Sequence, residues 1–141
     1  MSYDNGNIFA RILRGEIPAH KVFEDEATLA FMDVMPQSDG HTLVVPKAPA
    51  ENLFDLAPAD LGHLIQATQK VAVAIDTAFR PDGLTLMQFN GPEAGQTVFH
   101  IHFHIVPSYA GVGLRSHSRQ MADQVLLADH AQRIRAALGT P

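Results

Sequence analysis

Apolar and polar positions along this chain recur with two periods, and the points where the period changes mark the elements. Ile8, Phe9, Ile12 and Leu13 form a stripe at helical spacing behind Asn7, a good N-cap, and Gly15 and Pro18 close that short N-terminal helix. Residues 20–24 and 28–32 flank an acidic turn at Asp25 and Glu26 and predict a hairpin. After a loop over 36–40, residues 41–45 are a β-branched run that Pro46 stops, giving a third strand. Residues 51–56 read as a helical turn. Pro58 suits the first position of a long helix, where Leu61, Leu64, Ile65, Thr68, Val71, Ala72, Ile75 and Phe79 keep the 3.6 period as far as Arg80. Residues 84–89 and 97–106 predict a fourth and a fifth strand around a tight loop over 91–95, the fifth ended by Pro107. A glycine-containing loop covers 110–113. A C-terminal helix covers 122–138, with Val125, Leu126, Ile134 and Leu138 as apolar contacts. Hairpin-length links predict an α+β fold: a five-stranded antiparallel sheet with the helices on one side.

Composition narrows the function classes. The chain has 141 residues, the size of a single domain, with 46% hydrophobic and 18% charged residues. There is no cysteine, which excludes disulfides, thiolate metal sites and cysteine nucleophiles. The net charge is −5, so no basic excess exists to follow a nucleic-acid backbone. The polar, acidic start lacks a signal peptide's pattern, and no apolar run approaches the roughly 20 residues of a spanning helix. A soluble cytoplasmic protein with neither nucleic acid nor membrane as partner is expected.

The informative stretch is Gln96-Thr-Val-Phe-His100-Ile-His102-Phe-His104-Ile-Val-Pro107, which holds three of the eight histidines within five positions. On a strand, His100, His102 and His104 would share one face, and Phe99, Ile101, Phe103 and Ile105 the other. Such a row of imidazoles can be a solvated strand face. It can be a metal site, which His41 could join, although no Glu or Cys stands near to complete the set. Or it can be catalytic: neutral imidazole is a nucleophile towards phosphorus and moves protons near neutral pH. The preceding loop favours phosphorus. Its glycines, Gly91 and Gly95, let the backbone approach a ligand, and Asn90, Gln96 and Thr97 offer neutral donors to phosphate oxygens. Taken alone, that loop reads equally as a hairpin connection.

The stretch resembles the signature of the histidine triad (HIT) family, His-φ-His-φ-His-φ-φ with φ apolar. The likeness extends to Asn7-Ile-Phe-Ala-Arg-Ile12, Gly15-Glu-Ile-Pro18, Phe31-Met-Asp33, Pro36-Gln37 and Gly40-His-Thr-Leu-Val-Val-Pro-Lys47, which look like the Hint-type branch and its bacterial relatives. Residues 7–109 carry it; the tail over 110–141 is less diagnostic. The resemblance implies one HIT domain over 1–141 and a homodimer with sheets joined across the interface. It implies a hydrolase acting at the α-phosphate of purine nucleotides, with adenosine phosphoramidates as the Hint-type substrate and AMP as the nucleotide portion. His102 would be the nucleophile, held by the main-chain carbonyl of His100, with His104 on the phosphate and His41 and His100 in the outer network. Asn90, Gly95, Gln96 and Thr97 would form the phosphate loop. Asp33 would bond the ribose hydroxyls, and Ile8, Phe9, Ile12, Phe31, Val34 and Leu43 would line the nucleoside pocket. Ile12 and Leu43 also read as ordinary core, and Asp33 as a turn residue closing a strand. The loop looks equally like the dinucleoside polyphosphate hydrolases of the Fhit branch, and a nucleotide-binding module with little turnover would keep the same pocket. Many bacterial relatives carry a structural zinc site, but its positions are here Asn7, Ala10 and Pro49, so neither that metal nor any cofactor is expected. His20, His63, His117 and His130 read as surface residues, and Lys47 as structural.

Overall fold

A carboxylate shapes the first hairpin. Asp25 Oδ1 accepts from the backbone N–H of Ala27 and Thr28 and from Thr28 Oγ1, which turns β1 (Lys21–Glu24) into β2 (Thr28–Met32). The computed structural model describes residues 3–115 and 121–139; His117 lies outside the described residues. Before the hairpin comes α1 (Ile8–Leu13), capped as expected by Asn7, whose side chain accepts from Ala10 N. After it comes β3 (Thr42–Pro46), paired with β2 along its whole length. Helix α2 (Pro58–Phe79) then carries the chain past the next sheet position to the edge strand β4 (Gly83–Met87), and β5 (Phe103–Ser108) returns between β4 and β3. All pairs are antiparallel, in the order β1-β2-β3-β5-β4. The final helix is α3 (Gln124–Leu138). No helix among the described residues is long and apolar enough to cross a membrane.

The helices do not all lie on one side. Every residue of β2 and β3 is buried, so both faces of these strands need cover. Ala30, Met32 and Val44 join Ile105 and the buried faces of α2 and α3 in one core. Leu29, Phe31, Leu43 and Val45 point the other way and form a second cluster with Phe9 and Ile12 of α1. His104 stands opposite Leu43 in the β3–β5 register and so belongs to the α1 face.

Several expected boundaries move: the fourth strand, expected over 84–89, is Gly83–Met87, and the C-terminal helix begins at Gln124 rather than at 122. The fifth strand, predicted over 97–106, is only Phe103–Ser108. In the register Thr42 faces Ile105, Leu43 faces His104 and Val44 faces Phe103. A continued ladder would set Pro46, which has no N–H, against Ile101. Instead Ile101 N donates to Ala50 O at 2.9 Å, and the preceding residues run as bends. Pro107 sits inside β5, because the β3 ladder has ended at Ile105; its carbonyl accepts from Ser38 Oγ at 2.6 Å. Residues 51–56 form hydrogen-bonded turns rather than a helix. In α3 the inward stripe is Leu127, His130, Ala131 and Ile134. Ile134 was expected there and Leu138 packs at its margin, but Val125 and Leu126 point outward, at 76% and 41% exposure.

His130 is therefore not a surface residue. It is 5% exposed and meets the Phe79 ring edge-on at 5.0 Å. His20 is half-buried and bonds Gln124, while His63 is exposed as expected.

Two stability predictions follow from these placements. Gly15 and Gly40 both have positive φ, at 78° and 92°. Nothing lies within 4 Å of a Cβ at Gly15, whereas at Gly40 it would stand 3.2 Å from Pro107 Cγ and 3.3 Å from Phe79 Cδ2. Urea unfolding should show Gly15→Ala costing about 1–2 kcal/mol for the left-handed backbone, and Gly40→Ala about 1–3 kcal/mol more for overpacking. Burial pushes His130 below the ordinary histidine range, so the unfolded chain takes up that proton first. Stability should then fall as pH drops below about 6.5, the unfolded value. His130→Phe should flatten that part of the stability–pH curve, and an unchanged slope would contradict the assignment.

Candidate active site

The three histidines enter the site from two kinds of backbone. His104 belongs to β5, while His100 and His102 precede it in the irregular segment. All three are buried, as is His41, so the solvated-face reading is excluded. His100 Nε2 donates to Pro46 O at 2.8 Å, and its Nδ1 accepts from the Tyr3 hydroxyl at 2.5 Å. Burial holds its pKa below the ordinary histidine range, against the opposing bond to Pro46. His102 Nδ1 lies 2.8 Å from His100 O. The His102 ring packs edge-on against Phe9, centroids 4.8 Å apart, and lies 4.9 Å from the His104 ring. His104 Nδ1 is 3.1 Å from His41 Nε2, and His41 Nδ1 accepts from Gln37 N at 3.0 Å.

These partners assign the neutral tautomers, because a carbonyl only accepts and a backbone N–H only donates. His102 Nδ1 therefore carries the proton, and Nε2 carries the in-plane lone pair. His41 accepts at Nδ1, so its proton is on Nε2 and is given to His104 Nδ1. That leaves the His104 proton on Nε2. His104 also lines a cavity of about 190 Å³ with Gln37, Met87, Phe89, Gly95 and Thr97. An imidazole lone pair on His102 thus stands next to a ring, His104, that lines a recess and carries an N–H, groups that attack on a phosphate can use.

The remaining expected residues divide. Phe9, Ile12, Phe31 and Leu43 form one buried cluster on the histidine face, while Ile8 is 46% exposed at its margin. Val34 packs on the other side, against the α2–α3 core, and its carbonyl accepts from Ala122 N. Asp33 is buried: Oδ1 accepts from Met35 N at 2.8 Å, and Oδ2 stands 3.4 Å from His41 Nε2. Thr97 and Gly95 reach the cavity, but Asn90 and Gln96 are engaged as loop staples. Asn90 Oδ1 accepts from Leu53 N and Gln88 Nε2. Gln96 bonds Gly91 N, Glu51 O and Val98 O.

Sequence reasoning missed Tyr3, Gln37, Met87 and Phe89. Gln37 alone had a signal, as part of the Pro36-Gln37 pair. Reasoning from neighbours in sequence also missed a carboxylate near the imidazoles, and Asp33 is that carboxylate. Donor atoms of Asp33, His41 and His104 lie within 4.8 Å of one another, and the His41–His104 hydrogen bond already occupies two of them. At the positions matched to the relatives' zinc ligands, the Asn7 side chain caps α1.

The HIT domain model matches residues 14–111. The chain is 47% identical to a HIT-like protein of Bartonella henselae, described as involved in cell-cycle regulation, whose crystal structure superposes with a TM-score of 0.90 over 96% of this chain and 99% of that one. A hypothetical histidine triad nucleotide-binding protein of Sulfolobus tokodaii is 32% identical, with a TM-score of 0.86 over 93% and 91% of the two chains. Adenylylsulfatase HINT3 of Arabidopsis thaliana is 34% identical over 123 residues, which are 83% of this chain and 62% of that protein. Fold, histidine geometry and these likenesses agree: the chain belongs to the histidine triad family, as a nucleotide-binding protein of the Hint-type, α+β HIT fold.

Proposed function

We propose that this protein hydrolyses purine nucleotides at the α-phosphate, adenosine phosphoramidates or related compounds, through a nucleotidyl-histidine intermediate on His102. The observation that carries this reading is the 2.8 Å bond from His102 Nδ1 to the carbonyl of His100, which leaves the lone pair on Nε2. In the first step Nε2 attacks the α-phosphorus, a phosphorus–nitrogen bond forms, and the leaving amine or phosphate departs with its electron pair and takes up a proton. In the second step water attacks the same phosphorus, the phosphorus–nitrogen bond breaks, and the nucleoside monophosphate leaves. Dividing the reaction in this way lowers each barrier. His104 Nε2–H and the recess at Gly95 and Thr97 stabilise the phosphate oxygens. The nucleoside lies on the side of Phe9 and Ile8. The likeness to the adenylylsulfatase HINT3 supports a nucleotidyl group with an exchangeable leaving group.

The catalytic unit in this reading is a homodimer. Among the described residues, edge strand β4 pairs on one side only, and with α2 it frames a groove of about 590 Å³ lined by Ile65, Ala72, Val73, Leu84 and Leu86. Ile65, Val73 and Leu86 are exposed large apolar residues, which a second copy would cover. Light scattering should give twice the chain mass, and Leu86→Lys should give monomers; a monomeric wild type would refute the assembly.

His102→Ala should abolish turnover and still bind AMP in calorimetry, since the apolar cluster and the recess remain. The intermediate must be trapped in alkali, because acid cleaves the phosphorus–nitrogen bond. Mass spectrometry should then show a nucleotidyl adduct on the peptide bearing His100, His102 and His104 in the wild type, and none in His102→Ala. An adduct persisting in the variant would transfer the nucleophile to another histidine.

A further inference from the structure

Tyr3 reaches His100 across 97 positions of sequence, from a segment that precedes the first helix. The two rings meet edge-on, centroids 5.6 Å apart. The direction of each hydrogen bond follows from its neighbours. Pro46 O takes the proton of His100 Nε2, so His100 Nδ1 is an acceptor and the Tyr3 hydroxyl donates to it. The same oxygen accepts from Asn7 Nδ2 at 2.8 Å. Asn7 is in turn held by its cap, with Oδ1 on Ala10 N and Nδ2 also on Asp4 O. A one-way chain thus runs from Asn7 through Tyr3 to His100.

What hangs on His100 is its peptide group. Its carbonyl is the acceptor for His102 Nδ1. The segment carrying that carbonyl lies outside the β5 ladder. Its ties are Ile101 N to Ala50 O, the Gln96 staple, and the two bonds of the His100 ring. We propose that Tyr3 is a positioning residue for the reaction at His102: with Pro46 O fixing the Nε2–H tautomer, its hydroxyl holds the His100 ring from the Nδ1 side and thereby steadies the carbonyl that orients the nucleophile. The proposal rests on the reading that His102 attacks. Tyr3 does not line the recess beside His104, so it acts through His100 rather than on the nucleotide.

The electrostatics agree. Burial favours neutral His100, the only form that can accept from the phenol. Burial also raises the Tyr3 phenol, with the Asn7 hydrogen bond and then Arg14 acting against it and Asp4 with it, so the hydroxyl keeps its proton at neutral pH. His100 faces the Tyr3 phenol from the N-terminal segment and the Pro46 carbonyl from β3.

Tyr3→Phe is the test, because it keeps the ring contact and removes only the hydroxyl. Long-range proton–nitrogen spectra of the histidine rings should show one His100 tautomer in the wild type, Nε2–H. In Tyr3→Phe, Pro46 O still keeps the proton on Nε2, but Nδ1 loses its donor, so the Nδ1 resonance should shift and His100 should protonate at higher pH. kcat should fall roughly three- to tenfold, the worth of one hydrogen bond, with KM unchanged. Asn7→Ser, which keeps a cap but loses the donor to Tyr3, should move both readouts the same way by less. Identical His100 spectra and titration in wild type and Tyr3→Phe would overturn the proposal. So would a raised KM with kcat unchanged. A wild type without nucleotide turnover would refute the hydrolase reading instead, and the ring spectra would still decide whether Tyr3 holds His100.

Discussion

A backbone carbonyl accepts hydrogen bonds and never donates them, and this asymmetry decides where the protons of the histidine cluster lie. Pro46 O receives Nε2–H of His100, and His100 O receives Nδ1–H of His102. On the other side the Gln37 amide can only donate, so it sets His41, and His41 sets His104. Side-chain partners can change their protonation with pH; the backbone cannot. Tautomers assigned in this way are properties of the fold. Whatever keeps these backbone groups in place also keeps a lone pair on His102.

The sheet supplies the places. The β3–β5 ladder stops where Pro46 would have to donate, and the same missing N–H leaves the neighbouring chain free to bend. A regular strand over 97–102 would carry its carbonyls to β3 in a ladder. Here the carbonyl of His100 turns instead to the ring two residues on. The cluster then sits on the α1 face beside Phe9, Phe31 and Leu43, where low polarity strengthens each hydrogen bond within it. The α2 crossover is what makes β5 an inner strand, so His104 lies between β3 and β4 rather than at an edge.

Much of this was legible in the chain. Asn7 as a cap, Pro58 opening α2, and the two-residue spacing of the histidines each have a local cause that sequence displays. The burial of β2 and β3 on both faces, which places α1 opposite α2, was missed by the expectation of helices on one side, although Leu29-Ala-Phe-Met32 lacks polar alternation. The errors came from partners distant in sequence. Period-2 alternation over 97–106 looks the same in a strand and in a segment whose ladder has ended at a remote proline. Asn90 and Gln96 keep the chemistry of phosphate donors, but their bonds to Leu53, Gly91 and Glu51, which also staple the loop, were not foreseen. His130 and Val125 show the limit of composition on a helix: the inward stripe took the imidazole and left the valine outside. Tyr3 carried no signal at all, because its partner lies near the other end of the domain.

The charge balance follows from the same arrangement. The cations nearest the motifs in sequence are engaged elsewhere: Lys47 with Glu24 at 2.8 Å, and Arg14 with Glu16 at 2.7 Å. The protein also carries a net charge of −5. On the proposed reading, charge developing on the phosphate meets neutral N–H donors at the recess beside the buried His104, and their strength comes from orientation. Such donors respond to where the oxygens stand rather than to the total charge of the ligand. They can therefore favour a five-coordinate phosphorus over a four-coordinate one without gripping the product as a pair of cations would. Nor does such a recess specify the leaving group. On the proposed reading, the site then selects a nucleotidyl group on one side and leaves the departing group on the other loosely defined.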